Sequence, residues 1–306
     1  MENRVQPIPE FSYKEVVTGS GFRMEGYFVW CGSVIKEGDT YYMFASRWKK
    51  ENSFPSGYMT NSEIVMATTT DLSKPFVYQK QIIGKRAENY WDSMMAHNPF
   101  ILKLDQGYCL YYIGTPDGKK ETRAIGYAYA ESLNGEWKRC DKPLVLPADA
   151  NNPCVIKDEK GKYLLYFRDG DLKVSVARSD RYDGPFEVIS DNLFPEGRIE
   201  DMYVYRTDSG FEMLAEDAGG VYTGLKKGGV WFCSKDGISW DRRKAVQAYD
   251  FEVIYDDKSV QQLQRRERPI LFKDGERTYL FTGAKISGET TLTGGDTWNL
   301  VQELAV

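Results

Sequence analysis

Histidine is almost missing from this chain of 306 residues, which carries only His97. Structural and catalytic zinc sites draw on several His and Cys ligands at set spacings. The five cysteines, Cys31, Cys109, Cys140, Cys154 and Cys233, include no C-x-x-C pair, so no metal ligand set is expected. Their odd number fits reduced, mostly buried thiols better than a disulfide framework. Long apolar runs are missing too. Nothing approaches the ~18 residues of a membrane span, and the opening MENRVQPIPEF lacks the apolar stretch of a signal peptide. A cytoplasmic location is expected, or a periplasmic one where an export signal has been removed, with no membrane partner. A basic excess is absent as well: 40 Lys and Arg stand against 45 Asp and Glu, a net charge of −5. That balance argues against a nucleic-acid partner. Helical spacing is almost absent, which leaves an all-β chain.

What the chain has in quantity is aromatic side chains, with 21 Tyr, 15 Phe and 7 Trp. Aromatic residues suit strands, and exposed rings suit flat ligands such as sugars. They fall in a repeat. WCGSVIK, HNPFILK, NNPCVIK, EDMYVYR and ERPILFK align with Gly32, Pro99, Pro153, Met202 and Pro269 at position zero. A basic residue follows at plus four each time: Lys36, Lys103, Lys157, Arg206 and Lys273. A short polar turn and an aromatic run come next, from Tyr41, Tyr108, Tyr163, Phe211 and Tyr279. Each unit reads as a strand, a tight turn and a second strand.

Four units carry a further echo, ATTTDLSKPF, AESLNGEW, ARSDRYDGPF and CSKDGISW, which adds two more strands with a turn between. The zero positions lie 67, 54, 49 and 67 residues apart, room for a four-stranded unit with loops. Such sheets repeated radially make a propeller. The expected fold is a five-bladed β-propeller of four-stranded antiparallel blades, one domain over residues 1–306, with position zero opening each innermost strand. The fifth unit ends in TWNLVQELAV, enough for one more strand, and the N-terminal FSYKEVV could supply the missing outer one.

First strands line a propeller's channel, so the residues before position zero should face one another at its mouth. At minus two stand Trp30, His97, Asn151, Glu200 and Glu267; at minus one, Cys31, Asn98, Asn152, Asp201 and Arg268. Polar and charged residues are costly there as packing, because buried charge needs partners. They read either as a satisfied polar plug, with water or a structural cation on the axis, or as convergent groups of a site. Around Glu267, burial would raise the carboxyl's pKa and Arg265, Arg266 and Arg268 would lower it.

The pattern resembles the five-bladed propeller glycoside hydrolases of families 43, 32 and 117. In those an Asp-Pro opens one blade, a second Asp-Pro opens another two blades on, and Glu-x-Pro opens the next. ERP at Glu267–Pro269 looks like the acid motif. RIEDMYVY looks like the second Asp motif, with Met202 in place of Pro and Asp201 as modulator. MMAHNP is similar to the Met-Asn-Asp-Pro box, with Asn98 standing where the base or nucleophile is expected. The resemblance implies a glycosidase using carboxylate acid/base chemistry with no cofactor required. Chain size points to an exo-acting enzyme on a short oligosaccharide, inverting if the base is a carboxylate set well apart from Glu267 and retaining if the two stand near ~5 Å.

An amide cannot be that base. Glu25 and Asp92 rank level as replacements; His97, though able to act as a base near neutral pH, reads first as a substrate or cation ligand. Inversion would place the second carboxyl roughly 6.5–9.5 Å from that of Glu267. Trp30, Trp91 and Tyr27 could stack on a sugar, and Arg47 and Arg168 could bind hydroxyls or an acidic sugar's carboxylate. Asn98, Asn152, Glu200 and Arg268 complete the expected substrate contacts. Glu63 and the pair Glu216–Asp217 read equally as salt bridges between blades. Two alternatives stay open: a non-catalytic carbohydrate-binding propeller, which Asn98 favours, and a phosphorylase, which the arginines near Glu267 favour.

Overall fold

The structure, a computed structural model, describes residues 11–287 and 296–305. The repeated units fold into blades in chain order. The first comprises β1 (Tyr27–Glu37), β2 (Thr40–Lys49), β3 (Glu63–Thr69) and β4 (Val77–Ile83). The second comprises β5 (Met95–Lys103), β6 (Tyr108–Thr115), β7 (Ala124–Ala130) and β8 (Lys138–Arg139). The third holds β9 (Asn151–Lys157), β10 (Tyr163–Arg168), β11 (Val174–Ser179) and β12 (Glu187–Ser190). The fourth holds β13 (Ile199–Thr207), β14 (Gly210–Asp217), β15 (Gly228–Ser234) and β16 (Val246–Tyr249). A small hairpin, β17 (Glu252–Ile254) and β18 (Val260–Gln262), precedes β19 (Arg265–Asp274), β20 (Arg277–Lys285) and β21 (Thr297–Glu303) of the fifth. Neighbours within each blade are antiparallel.

The aromatic runs are continuous, not alternating, because both faces of a middle strand are buried between blades. Along β2, Tyr41, Met43 and Ala45 pack toward the fifth blade, while Tyr42 and Phe44 pack toward the second. Along β6, Cys109, Tyr111 and Ile113 face the third blade, and Tyr108, Leu110 and Tyr112 face the first. The five cysteines are free; Cys31, Cys109 and Cys154 are buried and Cys140 and Cys233 half-buried.

The first strands β1, β5, β9, β13 and β19 touch in sequence and close a ring, with β19 against β1. The repeated cation at plus four acquires a role here. Lys36 reaches Asp274 at 2.7 Å, Lys157 reaches Asp105 at 3.0 Å and Arg206 reaches Glu159 at 3.1 Å, each an acid at or beside the first hairpin turn of the neighbouring blade. The N-terminal segment runs along the outer edge of the fifth blade's three-stranded sheet through an isolated bridge and not as a full strand: Tyr13 bridges Leu304, and the backbone N–H groups of Lys14 and Ala305 donate to Glu303 and Ser12.

The zero positions do not open their strands. They lie inside them, at a β-bulge that recurs in every first strand, between Trp30 and Ser33, His97 and Phe100, Glu200 and Tyr203, and Glu267 and Ile270, with the pairing of β9 shifting likewise. The residue at minus one is left-handed in all five: φ is 57° at Cys31, 52° at Asn98, 54° at Asn152, 59° at Asp201 and 59° at Arg268. A bulge with one left-handed residue re-aims a side chain, and Asn and Asp adopt that conformation most readily. Gly32 at zero has a separate cause. A Cβ there would stand 2.8 Å from Cγ of Asn299, whose Oδ1 accepts the Gly32 N–H at 2.8 Å across the seam between first and last blades.

Candidate functional site

The five re-aimed side chains meet one another. Cys31 Sγ donates to Asn98 Oδ1 at 2.8 Å, Asn98 Nδ2 to Asn152 Oδ1 at 2.7 Å, and Asn152 Nδ2 to Asp201 Oδ1 at 2.7 Å. Arg268 closes the run from the other side, its Nη1 on Asp201 Oδ1 at 3.1 Å and its backbone N–H on Oδ2 at 3.2 Å. Each amide both accepts and donates, so the run satisfies groups that burial would otherwise penalise. The positive charge beside Asp201 is the Arg268 guanidinium.

Above this floor lies a cavity of about 180 Å³. One wall is acidic. Oxygens of Asp201, Glu216 and Glu267 lie within 4.8 Å of one another, and all three residues are buried. Burial is the largest force raising the Glu267 pKa, the Asp201 charge adds to it, and Arg265 and Lys227 oppose it. Glu216 is pushed up to about 9, first by burial and then by the charges of Glu267 and Asp201. Arg265 touches Glu267 at 3.2 Å; Lys227 lies 3.2 Å from Glu216 and 3.7 Å from Glu267. The carboxylate of Asp217, fully buried, accepts the backbone N–H groups of Val221, Tyr222 and Thr223, and so shapes the loop that carries Lys227.

The rest of the wall is aromatic and basic. Residues between β2 and β3, with a short helix α1 (Tyr58–Asn61), bring Phe54, Pro55 and Tyr58 to the cavity beside Trp30 and Trp48. His97 stacks on Tyr58 at 4.4 Å between ring centroids, and its Nδ1 is 2.8 Å from Ser62 Oγ. Burial, with Arg268 and Arg123 nearby, holds its pKa well below the usual imidazole value. Arg168 gives Nη1 to Glu200 at 3.1 Å, and Arg123 pairs with Asp149 at 2.6 Å.

Of the expected site residues, Trp30, His97, Asn98, Asn152, Arg168, Glu200, Asp201, Glu267 and Arg268 line this cavity. Four others do not. Glu25 is exposed in the turn before β1. Asp92 is fully buried behind β6, held by Arg86 at 2.5 Å, Tyr112 at 2.7 Å and Arg139 at 3.5 Å. Its three partners leave it no path to the funnel. Trp91 stacks on Tyr112 at 5.3 Å and donates to the Cys140 carbonyl. Arg47 pairs with Glu63 at 2.7 Å across β2 and β3, between the rings of Tyr27 and Tyr78. The separation expected for Glu25 or Asp92 from Glu267 therefore has no counterpart at the cavity. Sequence reasoning missed Trp48, Phe54, Tyr58, Arg123 and Lys227. These come from loops and strand ends outside the repeat, where no common offset marks them.

No family profile matches the sequence, and no curated protein does. Solved structures do match in fold. Zg3597, a family 117 glycoside hydrolase produced by the marine bacterium Zobellia galactanivorans, superposes with a TM-score of 0.70 at 17% identity, over 97% of this chain and 91% of that one. A thermostable family-43 glycoside hydrolase gives 0.66 at 11% identity, over 96% and 93%. A family-43 β-xylosidase/α-arabinofuranosidase from a compost microbial metagenome, solved with xylotriose, gives 0.64 at 14% identity, over 97% and 96%. The chain thus shares the five-bladed propeller fold of these glycoside hydrolases.

Proposed function

We propose that the protein is a glycosidase acting on a short oligosaccharide, with Glu267 as general acid. The observation that carries this reading is the state of Glu267: a carboxyl on a cavity wall, pushed toward its protonated form by burial and by Asp201. Hydrolysis needs such a group to protonate the leaving oxygen. Asp201, engaged at both oxygens by Asn152 and Arg268, acts as the fixed charge that keeps the proton on its neighbour. The charge of Glu200 adds to that effect.

A cavity of about 180 Å³ falls below the roughly 300–1,000 Å³ of pockets for larger ligands and suits a single terminal sugar, hence exo-action. Trp30 and Tyr58 offer faces for stacking. For inversion, water would attack from the blade of Asn98. His97 lines the cavity there, with Nδ1 2.8 Å from Ser62 Oγ and Nε2 3.9 Å from Cys31 Sγ; in the tautomer protonated at Nδ1, Nε2 is the accepting nitrogen. The fold neighbour solved with xylotriose is consistent with a sugar ligand. No cofactor enters this scheme.

The test is a panel of aryl glycosides and natural oligosaccharides, with Glu267→Gln as the control. Gln keeps shape and volume but cannot transfer the proton. Turnover should fall by about 10²–10⁴ on poor leaving groups and less on activated ones, with binding retained. Full activity of Glu267→Gln on a natural disaccharide would refute the assignment. NMR of the first-formed anomer reads inversion directly.

A second reading keeps the sugar and drops the chemistry. The amides of Asn98 and Asn152 are tied into the floor, and the base position holds no carboxylate. A carbohydrate-binding propeller would bind oligosaccharides by calorimetry and cleave none.

A further inference from the structure

The funnel holds more positive charge than its acids can neutralise. Arg123, Arg168, Arg265 and Arg268 line the cavity against Glu200, Asp201 and Glu267. Behind them, Asp149 pairs with Arg123 and Glu216 with Lys227. Full neutrality would require Asp201, Glu216 and Glu267 all to be ionised, with oxygens within 4.8 Å of one another. Like charges that close retain at least one proton, so the funnel keeps a surplus cation.

Not every arginine is equally committed. Arg268 is spent on Asp201 and Arg265 on Glu267. Arg168 is different. Its Nη1 meets Glu200, but Nε and Nη2, the edge that forms a two-pronged contact, share one neutral oxygen, Asn151 Oδ1, at 3.4 Å each. That is a long contact with an uncharged acceptor, and a carboxylate or phosphate on the same edge makes shorter, charge-assisted bonds. Arg123 stands nearby, its Nη1 donating to the Tyr58 hydroxyl at 2.9 Å, and both arginines act electrostatically on that hydroxyl. Trp48 lines the same cavity with a buried indole N–H that finds no acceptor among the described residues. These groups belong to the first three blades, and β5 and β9 lie across the ring from the Glu267 strand. All of them donate. On this wall the acids are Asp149, paired to Arg123, and Glu200, paired to Arg168 through Nη1; the Nε–Nη2 edge of Arg168 faces no carboxylate among the described residues.

We propose that the wall formed by Arg168, Arg123 and Trp48 binds an oxyanion, either the carboxylate of an acidic sugar or a phosphate, facing Glu267 across the cavity. The proposal deepens the glycosidase reading by naming its substrate class, but the anion site stands on the arginines themselves. With a sugar carboxylate there, the ligand is a uronic acid glycoside and water remains the attacking group. With inorganic phosphate there, a phosphate oxygen forms the new bond to the anomeric carbon. The carbon–oxygen bond to the leaving group then breaks, and Glu267 delivers its proton to that oxygen. The products are a glycosyl phosphate and the free alcohol, and no protein base is needed.

The lone histidine reports occupancy. Since Arg123 and Arg268 help hold His97 neutral, an anion beside it should raise its pKa. The experiment titrates the wild-type protein with inorganic phosphate and with glucuronate, by calorimetry and by NMR of the His97 ring. Arg168→Gln and Arg168→Lys are run in parallel. Binding of either anion, an upward shift of the His97 titration, and weakening by about tenfold or more in Arg168→Gln are expected. Arg168→Lys, which keeps the charge and loses the fork, should fall between. In turnover, phosphate-dependent cleavage of neutral glycosides with release of a glycosyl phosphate identifies phosphate, and preferential cleavage of aryl uronides without phosphate identifies the carboxylate. If neither anion binds the wild-type protein and neutral glycosides are cleaved without phosphate, the proposal falls while the Glu267 assignment stands. If an anion binds as described and no glycoside is cleaved, the site stands and the glycosidase reading falls.

Discussion

A carboxylate with an arginine at 3.2 Å and a lysine at 3.7 Å ordinarily ionises early, yet the pKa of Glu267 is raised. Burial and Asp201 outweigh the two cations, and that balance can be moved from either side. Lys227 lowers the Glu267 pKa, so Lys227→Gln should raise it further. The protonated acid then survives to higher pH, and the alkaline limb of kcat/KM should shift upward. A downward shift would show that another group sets that limb. Glu216 carries a matching consequence for stability. Its pKa is raised from 4.5 to about 9, so between those values the folded chain holds a proton that the unfolded chain has released. Stability from this group is therefore lost as pH rises through that window. Thermal unfolding should show the melting temperature of wild type falling from pH 5 to pH 9 more steeply than that of Glu216→Gln.

At the scale of the element, the device that builds the floor is the bulge repeated in every first strand. Its left-handed residue turns one side chain from the blade face toward the axis. Asn98, Asn152 and Asp201 suit this conformation, whereas Cys31 and Arg268 carry it against preference. Such positions store about 1–3 kcal/mol each when the residue is ill-suited. Cys31→Asn should therefore hold or raise stability, because Asn tolerates the backbone and its amide can donate to Asn98 Oδ1 as the thiol does. Cys31→Val should lower it, adding a β-branched clash and losing the donor. Urea denaturation of the two variants gives the comparison, and equal midpoints would show that the bulge is not under strain at this position.

For the whole molecule, the ring must close where the ends of the chain meet. The seam between first and last blades is held by specific acceptors as well as by packing. Val29 N–H donates to Thr297 Oγ1 at 2.8 Å, and Gly32 N–H to Asn299 Oδ1 at 2.8 Å. Asn299 also exchanges backbone hydrogen bonds with Phe22, while Gly21 accepts from Phe76 in the first blade. Asn299→Ala would strand the buried Gly32 N–H, which costs about 1–3 kcal/mol. The expected result is a lower melting temperature with one cooperative transition. An unchanged melting temperature would mean that apolar packing alone closes the ring.

The repeat determined the fold, because position zero, the cation at plus four and the aromatic run recur at fixed offsets that depend only on local chain geometry. The same offsets identified His97, Asn98, Asn152, Glu200, Asp201, Glu267 and Arg268 as neighbours around one axis. Glu25 and Asp92 lie near the inner-strand starts in sequence, but nearness in sequence says nothing about the direction of a loop; Asp92 turns away to satisfy Arg86 and Tyr112. Only tertiary structure decided that Glu216 and Lys227, far along β14 and its following loop, stand behind Glu267, and that Tyr58 and Arg123 meet over His97. Those contacts join residues of different blades or of loops outside the repeat. Their distances follow from how the blades pack, and the register of any single strand does not contain them.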